Sequence, residues 1–183
     1  MPVRLFRVAA PASTAFNLAK TFAQIVVMWG TALYVVPSLI NAAELHAGTN
    51  ALRFTPRVQL GLVLFLLFSA GGLWSGYIIA TRGRGTPLPL DAPRAFVVSG
   101  PYRYIRNPMA VTGLGQGASV GLAMGSYGVL LYVFAGGLVW NFVFRPLEEA
   151  DLEARFGEAY RAYRRYVPCW CPRLRAYSGE WAQ

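Results

Sequence analysis

The residues best equipped for chemistry fall in two short polar insertions. Ser99-Gly-Pro-Tyr-Arg-Tyr-Ile-Arg-Asn-Pro108 sets two tyrosines, two arginines and an asparagine beside a segment that otherwise reads as lipid-facing. Arg145-Pro146-Leu147-Glu148-Glu149 follows the last apolar segment and carries two adjacent carboxylates. Ionisable groups at a membrane boundary are costly, which makes each insertion a functional candidate. An arginine can grip a carboxylate through two parallel hydrogen bonds, carboxylates can stabilise a cation, and a tyrosine face can do the same. The expectation is that the two insertions close one site.

Composition supplies the solvent in which such a site would be built. Of 183 residues, 55% are hydrophobic and 14% charged, whereas soluble domains carry about a quarter charged residues. An all-α integral membrane protein is expected, organised as a single domain over residues 1–183. The net charge of +9 does not point to nucleic acid, because the basic residues are spread between apolar runs. Anionic lipid headgroups are the expected partner.

Four apolar segments can be read as spans of a core about 30 Å thick: Phe16 to Ile40, Val58 to Ala80, Met109 to Gly125 and Tyr127 to Phe144. The last two, separated only near Ser126, should form a tight helical hairpin. Pro37 lies near the far end of the first span, where a kink does little harm. Of the seventeen Lys and Arg residues, all but Arg53 and Arg57 fall on one side of this arrangement. The positive-inside rule then makes both termini and both polar insertions cytoplasmic, in a plasma or inner membrane. Arg4 and Arg7 are followed by no short apolar run with a small-residue cleavage site, so no removable signal peptide is expected.

Gly113, Gly117, Gly121 and Gly125 recur every fourth residue. Gly113-Leu-Gly-Gln-Gly117 superficially resembles a nucleotide-binding loop, but it lacks the preceding strand. Small residues at this spacing instead let a neighbouring helix come close, and Gly71, Gly72, Gly76, Gly136 and Gly137 can supply matching faces. The packing can lie within one chain or between two. Cys169 and Cys171, one residue apart with no second pair and no nearby histidine, form a poor metal signature and read as two reduced thiols.

The connection from Thr81 to Pro108 is kept from helix by Gly83, Gly85, Pro87, Pro89 and Pro93, which leaves free backbone groups for a ligand. It also reads as a surface loop held to lipid phosphates by arginines, with Ala95-Phe-Val-Val98 against the bilayer or the bundle. From Leu147 to Tyr166 a helix is expected to begin behind Pro146, with acidic residues in its first turns as the macrodipole favours. At about 100° per residue, Leu152, Phe156, Tyr160 and Tyr163 share one stripe bordered by Glu148 and Glu149, and Arg161, Arg164 and Arg165 fall on the far side. The two carboxylates can therefore cap the helix or face a ligand.

Gly83-Arg-Gly-Thr-Pro87, Val97-Val-Ser-Gly-Pro-Tyr-Arg-Tyr-Ile-Arg-Asn-Pro108, Glu148-Glu149, Phe156-Gly-Glu-Ala-Tyr160 and Val167-Pro168 together resemble the isoprenylcysteine carboxyl methyltransferase and phospholipid methyltransferase superfamily. The resemblance covers roughly the C-terminal hundred residues. It implies an integral-membrane enzyme that uses S-adenosyl-L-methionine without a Rossmann domain and methylates a lipid or other membrane-soluble acceptor. By motif position it implies cofactor contacts from Tyr102, Asn107, Pro108, Met109 and Ala110 and from the backbone of Arg94, Ala95, Phe96 and Val97. Glu148 and Glu149 would approach from the other side, Arg106 is the candidate for the methionine carboxylate, and Arg145 lies near the family's substrate-contacting arginine. The catalytic candidates are Glu148, Glu149, Arg145 and Asn107.

The chain departs from the superfamily at one motif. Where the superfamily often has Arg-His-Pro-x-Tyr, this chain has Arg106-Asn-Pro-Met-Ala110, so a histidine and a tyrosine are missing. Asn107 can donate and accept hydrogen bonds but cannot titrate near neutrality. The single histidine, His46, falls on the opposite side of the expected membrane. A carboxylate acceptor, or deprotonation by a glutamate or water, is therefore favoured. A related membrane reductase using a nicotinamide cofactor and a non-catalytic membrane scaffold are the alternative readings.

Overall fold

The computed structural model describes residues 9–49, 52, 54–86 and 92–179. Arg4, Arg7 and Arg53 of the charge argument, and Pro87 and Pro89 of the loop, lie outside them. The described chain forms α1 (Thr14–Gly30), α2 (Val36–Ala47), α3 (Arg57–Ile78), α4 (Pro108–Met124), α5 (Tyr127–Val139) and α6 (Arg145–Tyr166). Wide π turns at Thr31–Val35 and Trp140–Phe144 fuse α1 to α2 and α5 to α6, and a third, Ile79–Gly83, extends α3.

Two of these turns have a cause in the sequence. Proline inside a helix lacks an N–H, and its ring clashes with the carbonyl four residues back. For Pro37 that carbonyl belongs to Leu33 and for Pro146 to Phe142, each inside a π turn. The N–H groups of Val36 and Arg145 reach back to the carbonyls of Thr31 and Trp140, and this wider spacing lets the helix continue. The expected break behind Pro146 therefore does not occur: the helix runs unbroken through Pro146 from Tyr127 to a kink at Gly157, beyond which it continues to Tyr166. Glu148 and Glu149 sit inside it, with no free helix start for them to cap.

Three helices among the described residues are long and apolar enough to cross a membrane, Thr14–Ala47, Arg57–Gly83 and Tyr127–Tyr166. Their outward faces carry large exposed apolar side chains such as Phe22, Val27, Leu67, Leu131, Phe134 and Phe142, the inverse of a water-soluble surface. α4 has 17 residues, a little under the roughly 20 of a typical span.

Glycine sets the close approaches of α4. A Cβ at Gly113 would fall 2.2 Å from the Trp29 ring, at Gly115 2.6 Å from Phe68, and at Gly117 2.6 Å from Val133. Gly71 and Gly72 face Thr112, and α4 packs more extensively on α3 than on its hairpin partner α5. At Gly136, read as a packing face, an added Cβ would meet nothing within 4 Å.

At one end of the bundle, Ser126 caps α5 by accepting from the Val129 N–H at 3.0 Å, and Glu44 accepts from the Gly128 N–H at 2.7 Å. His46, at the end of α2, belongs to this end. The opposite end gathers the close of α3, the start of α4, the junction of α5 with α6, and both polar insertions.

Candidate active site

The Ser99–Pro108 insertion is folded before it meets anything else. Gly100, at a φ of 56°, opens a 3-10 turn over Gly100–Arg103, and a Cβ there would also crowd Ile78 at 3.1 Å. The Tyr102 N–H donates to the Ser99 carbonyl at 3.2 Å, and those of Tyr104 and Ile105 donate to Pro101. Tyr102 is thereby buried with Ile78, Ile79 and Val97.

Two other segments hold this turn from outside. The C-terminal tail crosses it through Arg106 N–H to Pro168 O (2.9 Å), Arg173 N–H to Tyr104 O (3.0 Å) and Tyr177 N–H to Arg103 O (2.8 Å). The Ala95-Phe-Val-Val98 segment lies against the bundle: Arg94 and Ala95 N–H groups donate to the Gly83 carbonyl, and Arg155 donates to Pro93 O. Phe96 stacks on Phe156 at 5.3 Å and meets Tyr160 and Tyr163 edge-on.

The α6 face that receives Phe96 is the stripe expected from the sequence. Leu152, Phe156, Tyr160 and Tyr163 all join one apolar cluster with Val98, Val167 and Tyr177. They reach it on a bent helix, because Gly157 adopts φ 53° and ψ −125°.

These elements enclose a cavity of about 80 Å³. Eight candidate residues line it: Ala95, Phe96, Val97, Tyr102, Arg106, Asn107, Glu148 and Glu149. The remaining wall is Ile79, Pro93, Leu152, Tyr160 and Tyr163, none of them a candidate site residue, although Tyr160 closes one of the motifs. The tyrosines were visible as a stripe, whereas Ile79 has no signal that separates it from any other apolar residue of a span. Arg94, Pro108, Met109, Ala110 and Arg145 do not line the cavity. Arg145 Nε donates to the Asn141 carbonyl at 3.3 Å, and Ala110 lines a separate slot of about 190 Å³ where α4 and α5 meet Trp29, Ala32 and Leu33 of the first long helix, with Gly136 also in its wall.

Charge is arranged unevenly around the cavity. Arg106 and Glu149 form an ion pair at 3.0 Å with side chains 12% and 14% exposed. Glu148 makes no hydrogen bond or ion pair with a described residue. Its position is past the apolar part of the helix that ends at Phe144. Burial, followed by the negative charges of Glu149 and Asp151, pushes its carboxyl up to about 7. Burial and the Glu148 charge hold the Tyr102 phenol well above its ordinary value, and burial does the same for Tyr160 and Tyr163. The three phenols are thus neutral at physiological pH, and the Glu148 carboxyl ionises near neutrality. Asn107 donates to the buried Cys169 thiol at 3.4 Å, a contact across the chain that neither residue's motif announced.

The family profile described as phospholipid methyltransferase matches residues 56–159. The chain belongs to the phospholipid methyltransferase family. The match begins at Pro56, ahead of the C-terminal hundred residues that carried the resemblance, and takes in α3, α4, α5 and α6 as far as Ala159, including Glu148, Glu149 and Leu152 of the cavity wall and stopping one residue short of Tyr160. No curated protein matches the chain. Family membership and the long apolar helices together make this a membrane methyltransferase.

Proposed function

We propose that the protein transfers a methyl group from S-adenosyl-L-methionine to the amine of a membrane lipid. The observation that carries this reading is the convergence of Glu148, Glu149, Arg106, Asn107 and Tyr102 on one cavity. The donor set suits the cofactor. Arg106 Nε and Nη1 and Glu149 Oε1 are buried without an aligned hydrogen bond, so a guanidinium and a carboxylate are available to an amino acid terminus, and Phe96, Tyr102 and Tyr160 offer aromatic faces. When bound, S-adenosyl-L-methionine supplies an activated methyl group on a sulfonium.

The chain's own groups then have three tasks. They hold donor and acceptor in line, exclude water, and accept a proton from an ammonium acceptor before it can act as a nucleophile. Glu148, a carboxylate with its ionisation displaced to about 7, is the group placed to take that proton. A carboxylate acceptor needs no base, so Glu148 favours the amine over the isoprenylcysteine-like alternative.

The acceptor enters sideways. The slot where α4 and α5 meet the first long helix runs from Gly117 and Val133 to Ala110 and Trp140, with Ala110 three residues along the chain from Asn107, and is lined almost wholly by apolar groups suited to a lipid chain. Four spans, with both termini and the site in the cytoplasm, complete the proposed arrangement. It is tested by reconstituting the protein into vesicles containing phosphatidylethanolamine and supplying methyl-labelled S-adenosylmethionine. Label in the lipid fraction supports the reading, and label absent from every lipid tested, with the folded protein present, refutes it.

A further inference from the structure

The cavity of about 80 Å³ is smaller than ligand pockets of about 300–1,000 Å³, so a nucleoside-sized molecule enters only if part of the wall moves. The most specific contact within that wall is the Arg106–Glu149 ion pair. It joins the start of α4 to α6, the two elements that carry the two polar insertions. Its groups touch at 3.0 Å, yet Arg106 Nε and Nη1 and Glu149 Oε1 have no aligned hydrogen bond and are shut off from solvent. Glu149 has a second cation, Arg164, at 3.8 Å, and an unpaired neighbour in Glu148.

A buried pair is costly to break by removing one member, because the other is left charged and unsatisfied. It is cheap to break by exchange, when an incoming molecule brings both charges. Resting on the cofactor reading above, we propose that Arg106 and Glu149 form a latch opened by an α-amino acid terminus, whose carboxylate takes Arg106 while its ammonium takes Glu149. The latch makes the site selective for ligands that carry both charges. A nucleoside ligand with neither charge must leave the pair closed, and one with a single charge opens it but strands a partner.

Binding to the full chain in detergent, read by calorimetry, tests this with four ligands: S-adenosylhomocysteine, its decarboxylated analogue, its deaminated analogue and 5′-methylthioadenosine. In the wild type, S-adenosylhomocysteine is expected to bind at least about tenfold more tightly than each of the others. Glu149→Gln releases Arg106, so the deaminated, carboxylate-only analogue gains relative to S-adenosylhomocysteine. Arg106→Gln gives the mirror image, a relative gain for the decarboxylated analogue. These opposite shifts are ratios within one variant, so partial loss of folded protein does not imitate them. Equal binding of all four ligands, or variants that weaken all four alike, overturns the latch alone. No binding by any of them overturns the cofactor reading and the latch with it.

Discussion

The Tyr163 phenol donates a hydrogen bond to the backbone carbonyl of Tyr102 at 2.7 Å in a buried setting, tying α6 to the 3-10 turn 61 residues earlier. This bond ties the first polar insertion to the helix that carries the second. Tyr163→Phe leaves the Tyr102 carbonyl buried without a partner, which costs about 1–3 kcal/mol. The expected result is a lower melting temperature for the detergent-solubilised protein together with weaker S-adenosylhomocysteine binding. A variant that melts and binds as the wild type does would show that the turn is held without this bond.

Gly157 bends α6 at φ 53° and ψ −125°, a conformation that residues with a Cβ rarely adopt. Nothing lies within 4 Å of where its Cβ would be, so Gly157→Ala tests the backbone and not packing. Either the bend persists at a cost of about 1–3 kcal/mol, or α6 straightens and Phe156 and Tyr160 leave Phe96. Both outcomes lower stability, and a thermal unfolding curve superimposable on the wild type would contradict this account of the bend.

Under the proposed role of Glu148 as proton acceptor, stability and methyl transfer should both depend on pH through its carboxyl. Its carboxyl ionises near 4.5 in the unfolded chain and at about 7 in the folded protein. The folded state therefore binds more protons between these values, and stability falls as pH rises through that window, by up to about 3 kcal/mol above pH 7. Glu148→Gln is expected to melt higher than the wild type at pH 8 and close to it at pH 4.5. Methyl transfer should fall in the same variant, and the wild-type rate should rise with pH through about 7 as the base ionises. The variant is overturned as a test of this role if it melts no higher at pH 8 and keeps the wild-type pH profile.

Particular residues show what was readable in the chain and what was not. Leu152, Phe156, Tyr160 and Tyr163 could be placed on one face because their spacing follows the helical period, and they pack together. The glycines of α4 could be assigned to helix contacts because only small residues allow them, and Gly113, Gly117 and Gly121 make those contacts, whereas Gly125 is the left-handed cap that ends the helix. Pro146 misled, since the local rule gives a break where a wide turn gives continuity. Asn107 and Cys169 meet across 62 residues, a separation at which neither period nor motif carries information. Ile79 joins the cavity wall at the first position of the π turn that extends α3, and no residue type announces that turn.

Gly113 and Gly136 look alike in sequence, each a glycine in an apolar helix, but the structure separates them. A Cβ at Gly113 would lie 2.2 Å from Cη2 and 2.9 Å from Cζ3 of Trp29 on the facing α1. Gly113→Ala must therefore displace the Trp29 ring or α1 itself, at about 1–3 kcal/mol. At Gly136 the added methyl meets nothing within 4 Å, and replacing glycine inside a helix gains up to about 1 kcal/mol. Titration with a denaturing detergent, followed by circular dichroism, should move the midpoint down for Gly113→Ala and leave it unchanged or raise it for Gly136→Ala. Equal destabilisation by both would mean that Gly136 meets a close neighbour in the membrane and that the slot beside it is closed there.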